Sequence, residues 1–258
     1  VTDAELEGAY RLFSNEHVSF ERLFDAHALG TAERAHDSEL VLAIHDTTNC
    51  VFRHANPKEV GYLNTGKPGF PLHLTLLVDT QEWRRPLGLT HAEVLPREKA
   101  PRRRGATKAK RVRNHNASKD PQREFLRWHR GIEATEARLA GSSTAIIHVA
   151  DRESDSYELM ATCLRNGHRF IFRARNNRNA LEDGVAIPIR DLISDAPVVL
   201  KREVPLSRRL DTTLPQRRRT YPARESRVAR LRFTATKATT FKRPHITGAH
   251  MPKTIELN

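Results

Sequence analysis

Two continuous apolar runs divide the chain, one at residues 40–44 and one at residues 145–150. Runs of this length without polar alternation are typical of strands buried on both faces of a sheet. Residues 72–78 and 87–95 carry the aliphatic side chains of two further strands, with turn residues between them. We therefore expect the first three strands to form an antiparallel meander.

Apolar residues at helical spacing predict helices before and between these strands. Thr2 and Glu5 form a capping-box pattern ahead of a first helix that reaches Phe13. Ser19 and Thr31 are expected to cap two short helices, over residues 20–24 and 32–39. A long amphipathic helix is predicted at 121–140, a shorter one from 157 to 164, and a strand at 170–173.

The predicted order is three strands, a helix, a strand, a helix and a strand. This order matches an α/β, ribonuclease H-like mixed sheet, in which an antiparallel meander is extended by parallel strands and flanked by helices. We expect a helical lead-in at 1–39, the ribonuclease H-like core at 40–175, and a β-rich insertion region at 176–258. Within that last region, 189–193 predicts a short helix, and 198–205 and 228–236 predict strands.

The chain is strongly basic, with a formal net charge of +13 and a pI near 10.3. Such a charge favours a polyanionic partner, but it does not separate DNA from RNA or from an anionic membrane surface. The stretch at 96–116 includes Arg102, Arg103 and Arg104, and we expect a mobile basic loop that follows a DNA backbone or is simply solvated. No run is long and apolar enough to span a bilayer and no export signal is evident, so we expect a cytoplasmic protein without a membrane partner.

Two acids follow the two apolar runs. Asp46 comes shortly after the first run and Asp151 directly after the second, so neighbouring central strands would bring two carboxylates to one end of the sheet. Carboxylate oxygens suit Mg²⁺ or Mn²⁺, and phosphoryl transfer on DNA commonly uses such ions. The alternative is that each aspartate is an ordinary turn former or helix cap.

Three segments resemble the insertion-sequence-four family of DDE transposases, the family that includes the Tn-five enzyme. They are LAIHDTT at 42–48, DRESDSY at 151–157 and RFIFRAR at 169–175, and weaker similarity extends over nearly the whole chain. The resemblance implies a homodimeric, Mg²⁺-dependent enzyme of DNA transposition and recombination that acts on the bacterial nucleoid. It would cleave double-stranded DNA at transposon ends and join those ends to target DNA. By resemblance Asp46 and Asp151 are the first two catalytic, metal-binding acids, and Arg173 and Arg175 contact transposon-end phosphates.

The third acid of the family is absent from its expected pattern. That acid is a glutamate in Tyr-x2-Arg-x3-Glu-x6-Lys, and the pair Tyr221 and Arg224 is followed by Val228 where the glutamate should stand. The chain also starts at Val1 and stops at Asn258 inside a strand-like pattern. We therefore expect a catalytic-core fragment, incomplete at its C-terminus and inactive on its own. The alternatives are a non-catalytic DNA-binding or transposase-binding remnant that acts as an inhibitor, and a generic basic nucleic-acid module.

Overall fold

The computed structural model describes residues 2–81, 84–98, 123–211, 213, 221–242 and 251–257. Contacts between Cα atoms divide the chain into two compact units, Val1–Arg175 and Asn176–Asn258. The helices are α1 (Asp3–Phe13), α2 (Phe20–Ala35), α3 (Pro57–Val60), α4 (Arg127–Arg138), α5 (Tyr157–Arg165) and α6 (Ile189–Ser194). The strands of the first unit are β1 (Leu40–Val51), β2 (Gly69–Asp79), β3 (Pro86–Val94), β4 (Ala145–Ala150) and β5 (Arg169–Phe172).

The five strands of the first unit form one mixed sheet in the order β3-β2-β1-β4-β5. β1 pairs antiparallel with β2, and β2 pairs antiparallel with β3. β4 pairs parallel with both β1 and β5, because α4 and α5 each carry the chain back across the sheet before the next strand begins. The predicted α/β fold class is thereby confirmed, and the arrangement is compatible with a ribonuclease H-like fold.

The polar end of β1 is longer than its apolar run indicates. The apolar run at 40–44 predicted a buried central strand with a polar end, and the strand includes that polar end as far as Val51. Its polar second half pairs with the start of β2, from Asp46 opposite Leu74 to Val51 opposite Gly69. Asp46 therefore lies within a strand, beyond the part that pairs with β4, and not in a loop that follows the strand.

The helices at the start of the chain also differ from the prediction. Residues 20–35 form the single helix α2, so the expected break at Thr31 does not exist. Thr31 is fully buried, and its hydroxyl donates to the backbone carbonyl of His27 within the same helix. The capping box of Thr2 and Glu5 is present at the start of α1 as predicted. None of the helices in the described part of the chain is long and apolar enough to cross a membrane.

The first unit has its core between the sheet and three helices. Val41, Ala43 and His45 alternate along β1 with side chains that are almost completely buried, whereas Leu42 and Ile44 between them are half-buried. The buried face packs against α2 through a cluster that contains Ala32, Ala35, Val41, Ala43, Leu77, Leu87 and Leu139. A second cluster joins α4 and α5 to the ends of β4 and β5, and contains Trp128, Ile132, Ala150, Leu159 and Cys163.

The second unit is built from short strands. A four-stranded sheet has the order β11-β10-β6-β7, formed by β6 (Asn179–Glu182), β7 (Val185–Pro188), β10 (Ala238–Phe241) and β11 (Thr254–Leu257). A separate antiparallel pair is formed by β8 (Val198–Leu206) and β9 (Arg227–Thr234). Val228, which stands where the family pattern has its glutamate, lies in β9 and therefore in a strand rather than on a helix.

Candidate functional site

Asp46 and Asp151 occupy neighbouring positions on two parallel strands. The ladder between β1 and β4 runs from Leu40 opposite Ala145 to His45 opposite Ala150, and the two aspartates are the next residue on each chain. Neighbouring strands of a sheet lie about 4.8 Å apart. Both side chains are exposed. The structure therefore brings the two predicted acids to the same edge of the sheet.

Each carboxylate has a local hydrogen bond that orders it. Oδ1 of Asp46 accepts from the backbone N–H of Thr47 at 2.8 Å. Oδ1 of Asp151 accepts from the backbone N–H of Glu153 at 2.8 Å, and the hydroxyl of Ser154 donates to the backbone carbonyl of Asp151 at 2.7 Å. Asp151 thus starts a tight turn between β4 and α5, which is the role of turn former that the sequence left open for it.

The predicted DNA-binding arginines fall into two groups. The backbone N–H of Arg173 donates to the carbonyl of Ala150, so Arg173 follows β5 at the edge that carries the aspartates. The backbone N–H of Arg175 donates to Oδ2 of Asp155 at 2.7 Å, and both arginine side chains are exposed. The basic triplet at 102–104 and most of the predicted basic loop at 96–116 lie outside the described residues.

The chemistry of the two acids fits a hard divalent cation. Mg²⁺ is usually bound through one or two carboxylates, with water and substrate phosphates as its other ligands. Asp46 and Asp151 supply two such carboxylates at an exposed edge beside Arg173. Within the described ranges, no group of three or more His, Cys, Asp or Glu side chains is arranged to hold a metal ion. A divalent ion at these two acids would therefore need its remaining ligands from water or a bound substrate.

Arg127, the first residue of α4, joins the chain segments next to the two acids. Its Nε donates to Oγ1 of Thr47 at 2.9 Å, and its Nη2 donates to Oε2 of Glu153 at 3.1 Å. Nη1 donates to the backbone carbonyl of Glu124 at 3.1 Å. Burial lowers the pKa of the guanidinium, and the carboxylates of Glu124 and Glu153 oppose that shift. An arginine remains protonated under such conditions, so Arg127 is a buried cation held by three acceptors.

Beneath the acids, a chain of hydrogen bonds crosses the core of the sheet. Nε2 of His45 lies 2.9 Å from Nδ1 of His148, and Nε2 of His148 lies 2.9 Å from Oε1 of Glu136. Oγ1 of Thr75 lies 2.9 Å from Nδ1 of His45. A carboxylate only accepts, so His148 donates from Nε2. If the His148 ring is neutral, its Nδ1 then accepts from His45, and the Thr75 hydroxyl donates to His45. Every member of the chain has a hydrogen-bond partner, and burial together with the neighbouring His148 lowers the pKa of His45.

His73 lies beside this chain and is fully buried. Its Nδ1 is 2.9 Å from Oγ1 of Thr47, while its Nε2 has no hydrogen-bond partner among the described residues. Its ring meets that of Trp128 edge to face, with centroids 4.7 Å apart. Burial, and secondarily the charge of Arg127, lower the pKa of His73 to about 3. The imidazole is therefore uncharged at neutral pH.

The close approach of α4 to this histidine layer depends on Gly131. A Cβ atom at Gly131 would lie 3.1 Å from Nδ1 of His45, 3.1 Å from Oγ1 of Thr75 and 3.2 Å from Nε2 of His73. These distances are shorter than ordinary van der Waals contacts, so a side chain at this position would require its neighbours to shift by a few tenths of an ångström. The glycine thus allows a helix to cover three buried polar side chains.

The sequence prediction named the two acids and did not include the buried side chains beneath them. His45, His73 and His148 sit at positions of β1, β2 and β4 whose neighbours two residues away face the core. That alternation was the available signal, because a histidine in register with buried aliphatic residues must find hydrogen-bond partners inside the core. Arg127 gave no such signal, since its partners are 80 and 26 residues away in the sequence.

The chain was also compared with models of known protein families. No family model matches it.

Proposed function

We propose that this chain is the catalytic-core region of a cut-and-paste DNA transposase of the insertion-sequence-four type. In this proposal Asp46 and Asp151 hold Mg²⁺ or Mn²⁺ at the edge of the sheet, and double-stranded DNA binds over that edge. The observation that carries the proposal is the juxtaposition of the two acids one residue beyond the last pair of the parallel ladder. The bound ion would activate a nucleophilic water or hydroxyl and stabilise the leaving oxygen of the DNA backbone.

The side chains around the acids support an anionic substrate. Arg173 and Arg175 are exposed at the edge that carries the aspartates, and an arginine fork matches the oxygens of a phosphate group. The net charge of +13 favours association with DNA at long range. In the proposed complex these arginines position the phosphate backbone, while the carboxylates act through the ion.

This class of enzyme uses three acids, and the proposed site has only two of them. The family pattern for the third acid is absent from the 258-residue sequence, and Val228 stands in its place. A missing ligand leaves charge at the reacting phosphate uncompensated, which costs orders of magnitude in rate. We therefore expect the isolated chain to bind metal and DNA weakly and to cleave DNA very slowly.

A second candidate function follows from the same observation. A chain with two acids can act without catalysis, as a protein that binds DNA or a complete transposase and inhibits transposition. Such an inhibitor has no need of a divalent ion at Asp46 and Asp151, so the metal dependence of DNA binding separates the two candidates.

The test is the affinity of the chain for a fluorescent DNA duplex, measured by anisotropy with and without Mg²⁺. We expect Mg²⁺ to tighten binding by the unsubstituted chain and to have no such effect on Asp46→Asn. We also expect Arg173→Gln to weaken binding by about tenfold and to reduce the salt slope by about one. Arg165→Gln is the matched control, because it removes the same charge at the end of α5, near the opposite edge of the sheet.

Two results would contradict the proposal. Equal losses of DNA affinity for Arg173→Gln and Arg165→Gln would mean that the affinity depends only on the total charge of the chain. A Mg²⁺ effect that persists in Asp46→Asn would mean that the ion acts elsewhere, and the non-catalytic candidate would then be favoured.

A further inference from the structure

The backbone pairing between β1 and β4 stops before it reaches the two acids. The last pair is His45 opposite Ala150, while β1 continues along β2 and the chain after β4 turns away toward α5. The separation of the Asp46 and Asp151 carboxylates is therefore not fixed by a strand ladder at their own positions. Some other contact must hold the two segments together at this point if the acids are to share an ion.

Arg127 makes that contact. It reaches Thr47, the residue after Asp46, and Glu153, whose backbone N–H holds the Asp151 carboxylate. Its side chain is only 10% exposed, whereas that of Glu153 is 61% exposed, so a nearly buried cation anchors an otherwise exposed turn. A planar guanidinium donates in several fixed directions at once, which a lysine ammonium on a flexible stem does not reproduce.

We propose that Arg127 is a positioning residue that sets the spacing of Asp46 and Asp151 for metal binding. This inference rests on the proposed function, because it assumes that the two acids share an ion. Arg127 acts through Thr47 and Glu153 and does not itself touch the ion. Replacement of a residue that orients metal ligands, without binding the ion itself, typically weakens metal affinity by about tenfold or more.

Thr47 is the contact of Arg127 on β1, whereas Glu153 is its contact in the turn after β4. Oγ1 of Thr47 accepts from Nε of Arg127 and shares a second hydrogen bond, of 2.9 Å, with Nδ1 of His73. The hydroxyl is thus held between a buried cation and a buried neutral ring, which gives β1 one defined position at the residue next to Asp46. Thr47→Val keeps the shape of the side chain and removes both hydrogen bonds.

The experiment measures Mn²⁺ affinity by electron paramagnetic resonance, with Mn²⁺ as the only added ligand. The variants are Arg127→Lys, Arg127→Gln, Thr47→Val and Glu153→Gln, each checked for folding by circular dichroism and thermal unfolding. Arg130→Lys and Arg130→Gln are the matched controls. Arg130 is one turn further along α4 and pairs with Glu93 through both carboxylate oxygens, but no contact joins it to Thr47 or Glu153 among the described residues.

We expect Arg127→Lys to weaken Mn²⁺ binding by about tenfold while the chain stays folded. Arg130→Lys should change the Mn²⁺ affinity less than about twofold. This holds even if Arg130→Lys lowers the thermal midpoint as much as Arg127→Lys does. If Arg127→Gln fails to fold, Thr47→Val carries the test, with a loss of affinity in the same direction. Equal Mn²⁺ affinity of the folded Arg127 or Thr47 variants and the unsubstituted chain would overturn the inference.

A further pair of variants separates this inference from the proposed function. If Asp46→Asn and Asp151→Asn weaken Mn²⁺ binding and the Arg127 and Thr47 variants do not, only the positioning role is wrong. If the aspartate variants bind Mn²⁺ as the unsubstituted chain does, the shared metal site itself is wrong, and the positioning role is overturned with it.

Discussion

His45 and His148 share a hydrogen bond of 2.9 Å between neighbouring parallel strands, inside the core of the first unit. With neutral rings the bond has one direction, because Glu136 accepts from the far nitrogen of His148. A single carboxylate at the rim of the core therefore determines the tautomers of two buried imidazoles. Buried polar chains of this kind stabilise a fold only when every member is satisfied.

Glu136→Ala is predicted to destabilise the first unit by about 1–3 kcal/mol, because it leaves the buried N–H of His148 without an acceptor. Chemical unfolding at neutral pH measures the change. Glu133→Ala is the control, since Glu133 is an exposed acid on the same helix. A loss of stability no greater than that of Glu133→Ala would show that the histidine chain does not depend on its carboxylate.

Gly131→Ala is predicted to lower stability by about 1–3 kcal/mol, although alanine is favoured over glycine within a helix by ~1 kcal/mol. The added methyl group would crowd His45, His73 and Thr75, which are all held by packing or hydrogen bonds. In Gly30→Ala the new Cβ would approach only the end of the flexible Arg34 side chain, at 3.3 Å. That control should be neutral or stabilising in thermal unfolding, and a stabilising Gly131→Ala would contradict the described approach of α4 to the sheet.

His73 is predicted to make stability fall as the solution is acidified. Its folded-state pKa of about 3 lies below the ordinary value of 6.5, so between those two values the unfolded chain binds a proton that the folded chain does not. The contribution of His73 to the free energy of unfolding is therefore fully present above pH 6.5 and is lost as the pH falls toward 3. The loss from this group is at most about 1.4 kcal/mol per pH unit.

His73→Asn removes this titration and leaves a short polar side chain that can pair with the hydroxyl of Thr47. Urea unfolding at several pH values should then give a shallower loss of stability than in the unsubstituted chain. His54→Asn, at an exposed position, is the control and should leave the slope unchanged. An identical slope for His73→Asn would mean that the buried ring titrates in the folded state as it does in the unfolded chain.

Local sequence pattern was sufficient to predict the first unit and insufficient for the details of its edges. The apolar runs at 40–44 and 145–150 predicted central strands, because few other structures bury so many consecutive aliphatic residues. The length of the polar half of β1 was not predicted, since it is a strand only through its pairing with β2. The three strands β6, β7 and β10 were missed as well, because each has four residues and no clear alternation.

The candidate site divides in the same way. The apolar runs at 40–44 and 145–150 end close to the two acids, so Asp46 and Asp151 could be predicted to meet at one edge of the sheet. The contacts that support them join residues far apart in the chain, such as His45 with His148 over 103 positions and Arg127 with Thr47 over 80. No local pattern encodes such pairs, and only the folded register brings them together.

The central claim is that Asp46 and Asp151 share one divalent ion, and a double-mutant cycle on Mn²⁺ affinity tests it most directly. Asp46→Asn, Asp151→Asn and the double variant each keep the shape of the side chains and remove the charge. Two ligands of one ion are coupled, so either single variant should weaken binding strongly and the double variant should add much less than the sum of the two. Independent, additive effects, or no effect of either substitution, would contradict the account.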